Sequence, residues 1–212
     1  MIYDEIYIGG SLLFLIKAFL SKKRKILILE KSDYLGGAWR DTDKNFKKID
    51  LACHLLVPPK KNDTHKIVKF FNKIGVKIRK LHKKEFYADT QNWQAYGKRG
   101  SPLISEKGWS HLLGKILINI KKKKNIKILK KNRVREICIN SKIGSVITSN
   151  SNYQTKKIFF PSYCDLKRIK IKNKIYFTPF NFLKNIHLII LIESNKKKIS
   201  RYFQGLWDLK PK

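Results

Sequence analysis

The stretch YDEIYIGGSLLFLIKAFLSKKRKILILE, residues 3–30, decides the fold that we expect for this chain. Residues 3–8 are typical of a short β-strand that enters Gly9-Gly10, and residues 11–20 form a mostly apolar segment of helical length. Residues 25–29 are a second strand, whose continuous apolar run is typical of a parallel strand covered on both faces. Since a crossover of this kind is right-handed and sets the two strands side by side, the sequence predicts a βαβ unit.

Two features of this unit point to a dinucleotide. Gly9, Gly10 and Ser11 supply a tight strand-to-helix turn, where backbone N–H groups and the helix N-terminus can face a pyrophosphate. Glu30 stands 21 residues after Gly9, close to the interval of about 20 at which an acidic residue binds the ribose. On the G-x-G-x-x-G template, Ser11 replaces the second glycine and Phe14 the third, so we expect a wider gap between helix and sheet.

A glycine-bearing loop follows the second strand directly, in the run Ile28-Leu29-Glu30-Lys31-Ser32-Asp33-Tyr34-Leu35-Gly36-Gly37-Ala38-Trp39. Together with the turn at Gly9, this run resembles the superfamily of FAD-binding amine oxidases, protoporphyrinogen oxidases and UDP-galactopyranose mutases. In that superfamily a ribose-binding Glu is followed by a short loop that ends in a Gly-Gly pair. The resemblance implies a flavoprotein oxidoreductase of the amine-oxidase-like kind, with FAD as cofactor. NAD-only Rossmann proteins lack this loop, so FAD is favoured over NAD.

The resemblance also implies which residues contact the cofactor. The main chain at Gly36, Gly37 and Ala38 is expected along the flavin diphosphate, where glycine permits close approach of backbone to ligand. Residues 108–113, followed by Val134-Arg135-Glu136-Ile137, are similar to a helix and strand whose Val meets the adenine end of FAD. The full expected set is Gly9, Gly10, Ser11, Glu30, Lys31, Gly36, Gly37, Ala38, Trp39 and Val134.

No residue stands out as a catalytic group, and His54 is the one candidate. It ends the segment Asp50-Leu51-Ala52-Cys53-His54, which is similar to a segment that superfamily members bring near the isoalloxazine ring. A histidine beside an apolar run also fits a purely structural role. Cys53, Cys138 and Cys164 form no C-x-x-C pair or Cys/His cluster, so we expect reduced structural thiols and no metal site.

The composition is strongly basic, with a formal net charge of +33. Such a charge favours nucleic acid or anionic surfaces as partners. However, 40 of the 48 basic residues are Lys, spread along the whole chain, whereas phosphate and base recognition favours the Arg fork. Nucleic acid is therefore not expected as a partner, and a basic nucleic-acid-binding protein that merely uses a βαβ scaffold is the weaker alternative. The Lys run at residues 121–124 is interpreted as a solvated helix end, where cations complement the helix dipole.

The predicted fold class is α/β, a Rossmann-like FAD-binding βαβ unit with a mixed α+β remainder. The FAD-binding part is expected at residues 1–60 and about 105–165. A discontinuous, substrate-facing mixed sheet is expected at about 61–104 and 166–212, with Asp63 or Thr64 capping a helix that runs to about residue 74.

No stretch reaches the roughly 20 apolar residues of a membrane span, and the acidic start is unlike a signal peptide, so we expect a cytoplasmic protein. Its substrate is an unidentified small molecule. The alternative hypothesis is a truncated or split, non-catalytic remnant whose flavin site needs a second chain. It is motivated by the length of 212 residues and by the two replaced template glycines.

Overall fold

The computed structural model describes residues 1–39, 56–58, 60–80, 102–140, 143–161, 168–171 and 174–176. The chain divides into two compact units, each made of two segments. Unit 1 comprises Met1–Ala52 and Trp109–Leu183, and unit 2 comprises Cys53–Gly108 and Lys184–Lys212. Among the described residues, no helix combines the length and the apolar character that crossing a membrane would need.

The described elements follow one another in this order: β1 (Ile2–Ile8), α1 (Leu12–Leu20), β2 (Ile26–Leu29), a 3-10 turn (Gly37–Trp39), α2 (Asp63–Lys73), β3 (Ile78–Lys80), β4 (Leu103–Ser105), α3 (Trp109–Lys121), β5 (Ile126–Leu129), β6 (Val134–Asn140), β7 (Ile143–Thr148), β8 (Asn152–Phe159), β9 (Arg168–Ile171) and β10 (Lys174–Tyr176). Of these, α2, β3 and β4 belong to unit 2 and the others to unit 1.

The predicted βαβ unit is confirmed. β1 and β2 pair in parallel, with Ile6 beside Leu27 and Ile8 beside Leu29, and α1 connects them. The helix begins after Ser11, whose backbone is extended and whose side chain accepts a bond from the Phe14 amide, as an N-cap residue does.

The larger sheet has eight strands in the order β10-β9-β6-β7-β8-β1-β2-β5. The four strands β8, β1, β2 and β5 run parallel to one another, whereas β6, β7 and β8 form an antiparallel meander. β9 pairs in parallel with β6, and β10 closes the order antiparallel to β9. This parallel-rich sheet with its helices confirms the α/β fold class, with a mixed remainder beside the βαβ unit.

The two faces of the parallel strands are buried against different partners. On one face, residues of β1 and β2 form a core cluster with residues of β6 and β7; its members include Ile6, Ile8, Leu27, Leu29, Val134, Ile137 and Val146. On the other face, Tyr7 contacts Phe14 of α1, with 5.3 Å between ring centroids, and α1 packs against α3. All four residues of β2 are buried, which explains its continuous apolar run.

Unit 2 contains α2 and a two-stranded antiparallel sheet in which Ile78 of β3 lies beside Ser105 of β4. Leu103 of β4 also bridges to Leu56. The capping that we predicted for α2 is wrong, because the N-cap position is Asn62 and makes no side-chain cap hydrogen bond. Asp63 is instead the first residue of the helix and Thr64 the second, so neither occupies the N-cap position.

Candidate dinucleotide-binding site

The turn after β1 has the backbone geometry that glycine permits. Gly9 has φ +97°, and its amide donates to the carbonyl of Leu29 on β2 over 2.7 Å. A Cβ added to Gly9 would meet no described atom within 4 Å, so the turn borders open space on that side. The first amides of α1 follow this turn and, apart from the Phe14 amide that Ser11 caps, have no intrahelical acceptor.

Glu30 is held by the turn itself. One carboxylate oxygen accepts a 2.6 Å hydrogen bond from the amide of Gly10, and the other accepts a 2.9 Å bond from the amide of Ser32. The Glu30 main chain is fixed as well, since its amide donates to Leu129 and its carbonyl accepts from Asn132. A carboxylate has about four lone-pair sites, so Glu30 keeps acceptor capacity for further hydroxyl donors.

The Gly-Gly loop is tied to the same turn. The Gly36 amide donates to the carbonyl of Gly10 over 2.7 Å, and Ser11 forms a parallel bridge with Gly36. Gly10 therefore bonds Glu30 through its amide and Gly36 through its carbonyl. Three segments that are separate in the sequence therefore meet at this one residue: the turn, the end of β2 and the Gly-Gly loop.

The glycines of the site are required for different reasons. A Cβ on Gly10 would lie 2.3 Å from a methyl carbon of Leu35, and one on Gly36 would lie 2.3 Å from a methyl carbon of Leu113. A larger residue at either position would therefore have to displace a leucine side chain, and at Gly36 it would also have to adopt φ +98°. Gly37 has φ +57°, and a Cβ there would meet no described atom within 4 Å. Open space beside Gly9 and Gly37 is what close approach of a ligand to the main chain requires.

Helix α3 packs against the Gly-Gly loop. Besides the contact between Leu113 and Gly36, the indole rings of Trp39 and Trp109 meet edge to face, with centroids 5.2 Å apart. Trp109 is almost fully buried, whereas Trp39 is half-buried. Trp39 thus packs against a helix that begins 70 residues further along the chain, and its expected contact with the cofactor stays a prediction.

The remaining residues that we expected at the site differ in exposure and in location. Lys31 is exposed directly after Glu30, and Ala38 lies in the 3-10 turn. Val134 begins β6 with its side chain in the core cluster, so any contact with a cofactor involves its main chain and stays a prediction. His54 lies outside the described residues. Phe14, at the third glycine position of the template, packs on Tyr7 and thus fills the helix-to-sheet gap.

A buried polar cluster near the turn was not expected from the sequence. Glu5 of β1 is 1% exposed; it accepts a 2.5 Å hydrogen bond from the Tyr7 hydroxyl and forms an ion pair with Arg24. Burial, reinforced by the bond to Glu5, raises the pKa of Tyr7 above its usual value near 10. The sequence did contain a signal for this cluster, since Glu5 stands between Tyr3 and Tyr7 in the first predicted strand. A carboxylate that such a strand buries needs a hydrogen-bond or charge partner.

Cys138 is the one cysteine of the three among the described residues, and it forms no disulfide. Burial raises the pKa of its thiol, with a further contribution from the hydrogen bond to Glu136. A raised pKa favours the protonated thiol over the reactive thiolate. Within the described residues, no three His, Cys, Asp or Glu side chains come together as a metal site.

The fold and the arrangement of turn, carboxylate and loop define an α/β protein with a Rossmann-like βαβ unit. No protein-family model and no curated protein sequence matches this chain. Solved structures do match it. An oxidoreductase from Methanosarcina mazei is 14% identical with a TM-score of 0.54, over 76% of this chain and 58% of that one.

Two further structures are similar to the same extent. A protein from Pyrococcus furiosus is 16% identical with a TM-score of 0.52, over 76% of this chain and 58% of its own. A proposed protoporphyrinogen oxidase from an Exiguobacterium species is 11% identical with a TM-score of 0.51, over 74% and 59%. The chain thus spans less than three fifths of the length of these proteins. The likeness shows an α/β fold shared with these proteins.

Proposed function

We propose that this chain binds FAD and belongs to a flavin-dependent oxidoreductase of the amine-oxidase-like kind. The observation that carries the proposal is the position of Gly10, whose amide bonds Glu30 and whose carbonyl bonds Gly36. A ribose-binding carboxylate and a glycine loop suited to a diphosphate are thereby fixed on either side of one turn. The oxidoreductase-like fold of the similar structures supports the same reading.

Each part of the site has a separate task in this proposal. The remaining lone pairs of Glu30 accept hydrogen bonds from the ribose hydroxyls of the adenosine half. The first amides of α1 and the positive end of its dipole face the pyrophosphate. Open space beside Gly9 and Gly37 lets the main chain come close to the phosphates. Exposed Lys31 adds a positive charge next to Glu30.

Bound FAD would supply the redox chemistry, accepting a hydride from a substrate carbon, while the protein supplies binding and orientation. The described residues hold Glu30 in place through two backbone amides, so the carboxylate needs little reorganisation when the ribose arrives. The substrate is a small molecule of unassigned class. His54 remains the candidate for a residue near the flavin ring.

The decisive experiment is the visible absorption spectrum of the purified chain, before and after FAD is added and the excess is removed by gel filtration. We expect a retained flavin spectrum in the wild type. Glu30→Gln should bind FAD about 10- to 100-fold more weakly, the range for loss of a charge-assisted hydrogen bond. Asp33→Asn is the matched control, because it removes an exposed carboxylate from the same loop and should leave binding unchanged.

Thermal unfolding of each variant separates loss of the site from loss of the fold. Equal FAD affinity in folded wild type and folded Glu30→Gln would overturn the site assignment. Displacement of FAD by an equal concentration of NAD would overturn the choice of cofactor. If the wild type binds FAD only when a second polypeptide co-purifies, the split alternative replaces the self-contained site.

A further inference from the structure

Unit 2 contains a cavity of about 380 Å³ at the start of α2. Its lining residues come from the turn before α2, from the first two turns of that helix and from the end of β3; they are Lys61, Asn62, Thr64, His65, Val68 and Lys80. The volume lies within the range of about 300–1,000 Å³ that is usual for small-molecule sites. None of these residues belongs to the residues expected to contact FAD, whose described members all lie in unit 1.

Thr64 is the unusual member of this lining. The residue is 4% exposed, yet its side-chain oxygen has no hydrogen-bond partner in the described part of the chain. Burying a hydroxyl without a partner costs free energy, and buried polar groups are nearly always paired. Thr64 does not cap α2, as the N-cap position is Asn62. Thr64 lines the cavity, and a rotation of its side chain that turns the hydroxyl toward a ligand oxygen would give the hydroxyl the partner that it lacks.

The charges around the cavity select an anion. Lys61, in the turn before α2, and Lys80, at the end of β3, are exposed and line the cavity, and His65 adds a third nitrogen group. The N-terminus of the 11-residue helix α2 contributes the positive end of its dipole. The acidic residue of this turn, Asp63, does not line the cavity and lies 3.8 Å from the ammonium of Lys66.

We propose that this cavity binds the phosphate group of a small phosphorylated molecule. A phosphate presents three or more oxygens in diverging directions, which suits two ammonium groups and a hydroxyl better than a planar carboxylate does. The volume leaves room for an organic part beside the phosphate. The site is independent of the proposed FAD function, since it depends only on residues of unit 2.

The test is isothermal titration of the full-length, flavin-free chain with inorganic phosphate, and separately with ribose 5-phosphate, at an ionic strength held constant with chloride. We expect saturable binding of both probes, tighter for the sugar phosphate. Equal affinities would show that the cavity recognises free phosphate and not an organic phosphate. An equal response to acetate would overturn the choice of phosphate.

Three substitutions assign the binding to this cavity. Thr64→Val and Lys61→Gln should each weaken phosphate binding about 10-fold, the lower end of the cost of a hydrogen bond to a charged group. Thr64→Ser keeps the hydroxyl and should bind within about twofold of the wild type. Lys69→Gln, an exposed lysine of α2 outside the cavity, is the control for general charge effects and should change little.

Thr64→Val has a second, independent readout. Because it removes a buried hydroxyl without a partner, it should raise the unfolding temperature of the ligand-free protein while it weakens phosphate binding. Wild-type phosphate affinity in both Thr64→Val and Lys61→Gln would overturn the proposal. Glu30→Gln should leave the affinity for phosphate unchanged, so failure of this site and failure of the flavin site are distinguishable.

Discussion

A methyl carbon of Leu113 lies 2.3 Å from the position that a Cβ on Gly36 would occupy. Real side chains do not approach so closely, so a larger residue at position 36 would force the buried Leu113 side chain to shift. Gly36 also has φ +98°, a conformation that other residues adopt at a cost. Packing against a distant helix therefore fixes the loop whose amide bonds to Gly10.

Gly36→Ala should destabilise the protein by about 2–4 kcal/mol, through overpacking against Leu113 and through the positive φ. Urea unfolding measures the loss. The matched control is Gly114→Ala, one residue along α3 from Leu113, where a Cβ meets no described atom within 4 Å. Since Ala is the better helix former, that variant should gain about 0.5–1 kcal/mol. Equal stability of the two variants would contradict the packing described here.

Gly37→Asn separates ligand approach from stability. Residue 37 has φ +57° and open space where a Cβ would point, and Asn tolerates this backbone conformation. We therefore expect an unfolding free energy within about 1 kcal/mol of the wild type, but at least about tenfold weaker FAD binding, because the new side chain enters the cofactor's space. Asp33→Asn places the same side chain elsewhere on the loop and should bind FAD normally. Unchanged FAD affinity in Gly37→Asn would contradict the expected path of the diphosphate.

Lys121, Lys122 and Lys124 are exposed, as a solvated helix end would have them, but Lys123 is half-buried and bonds helix α1, which corrects our interpretation at that one residue. Its ammonium donates to the carbonyls of Phe19 and Ser21, at 2.5 and 2.8 Å, and so caps the C-terminus of α1. Lys123→Met keeps most of the aliphatic stem and should cost about 1–2 kcal/mol. Lys124→Met removes the same charge from an exposed position and should cost less than about 0.5 kcal/mol. Equal losses in chemical denaturation would show that the contacts of Lys123 do not stabilise the fold.

The Tyr7 phenol makes the free energy of unfolding vary with pH in the alkaline range. Its pKa is raised by burial and by Glu5, so the folded protein keeps the proton when the unfolded chain releases it near pH 10. The stabilisation is therefore complete below about pH 10 and falls above it by at most about 1.4 kcal/mol per pH unit. The advantage of the wild type over Tyr7→Phe should shrink as pH rises from about 9 to 11.5.

Urea titrations of wild type and Tyr7→Phe across this range measure the difference, in which the titration of the many lysines cancels. Tyr34→Phe, on the exposed part of the Gly-Gly loop, is the control and should follow the wild-type profile. A constant difference between wild type and Tyr7→Phe would show that this phenol has the same pKa in the folded and unfolded states.

The sequence by itself determined the βαβ unit and the position of Glu30 at the end of β2. These features are local: the apolar run of residues 26–29, the turn at Gly9 and the interval to Glu30 all lie within 30 residues, and short-range sterics and hydrogen bonds fix them. Tertiary structure alone decided what a side chain at position 36 would meet, what Lys123 bonds and which side chains line the cavity beside Thr64. Each depends on residues far apart in the chain, such as Gly36 and Leu113, whose contact follows from packing whole elements and leaves no local pattern in the sequence.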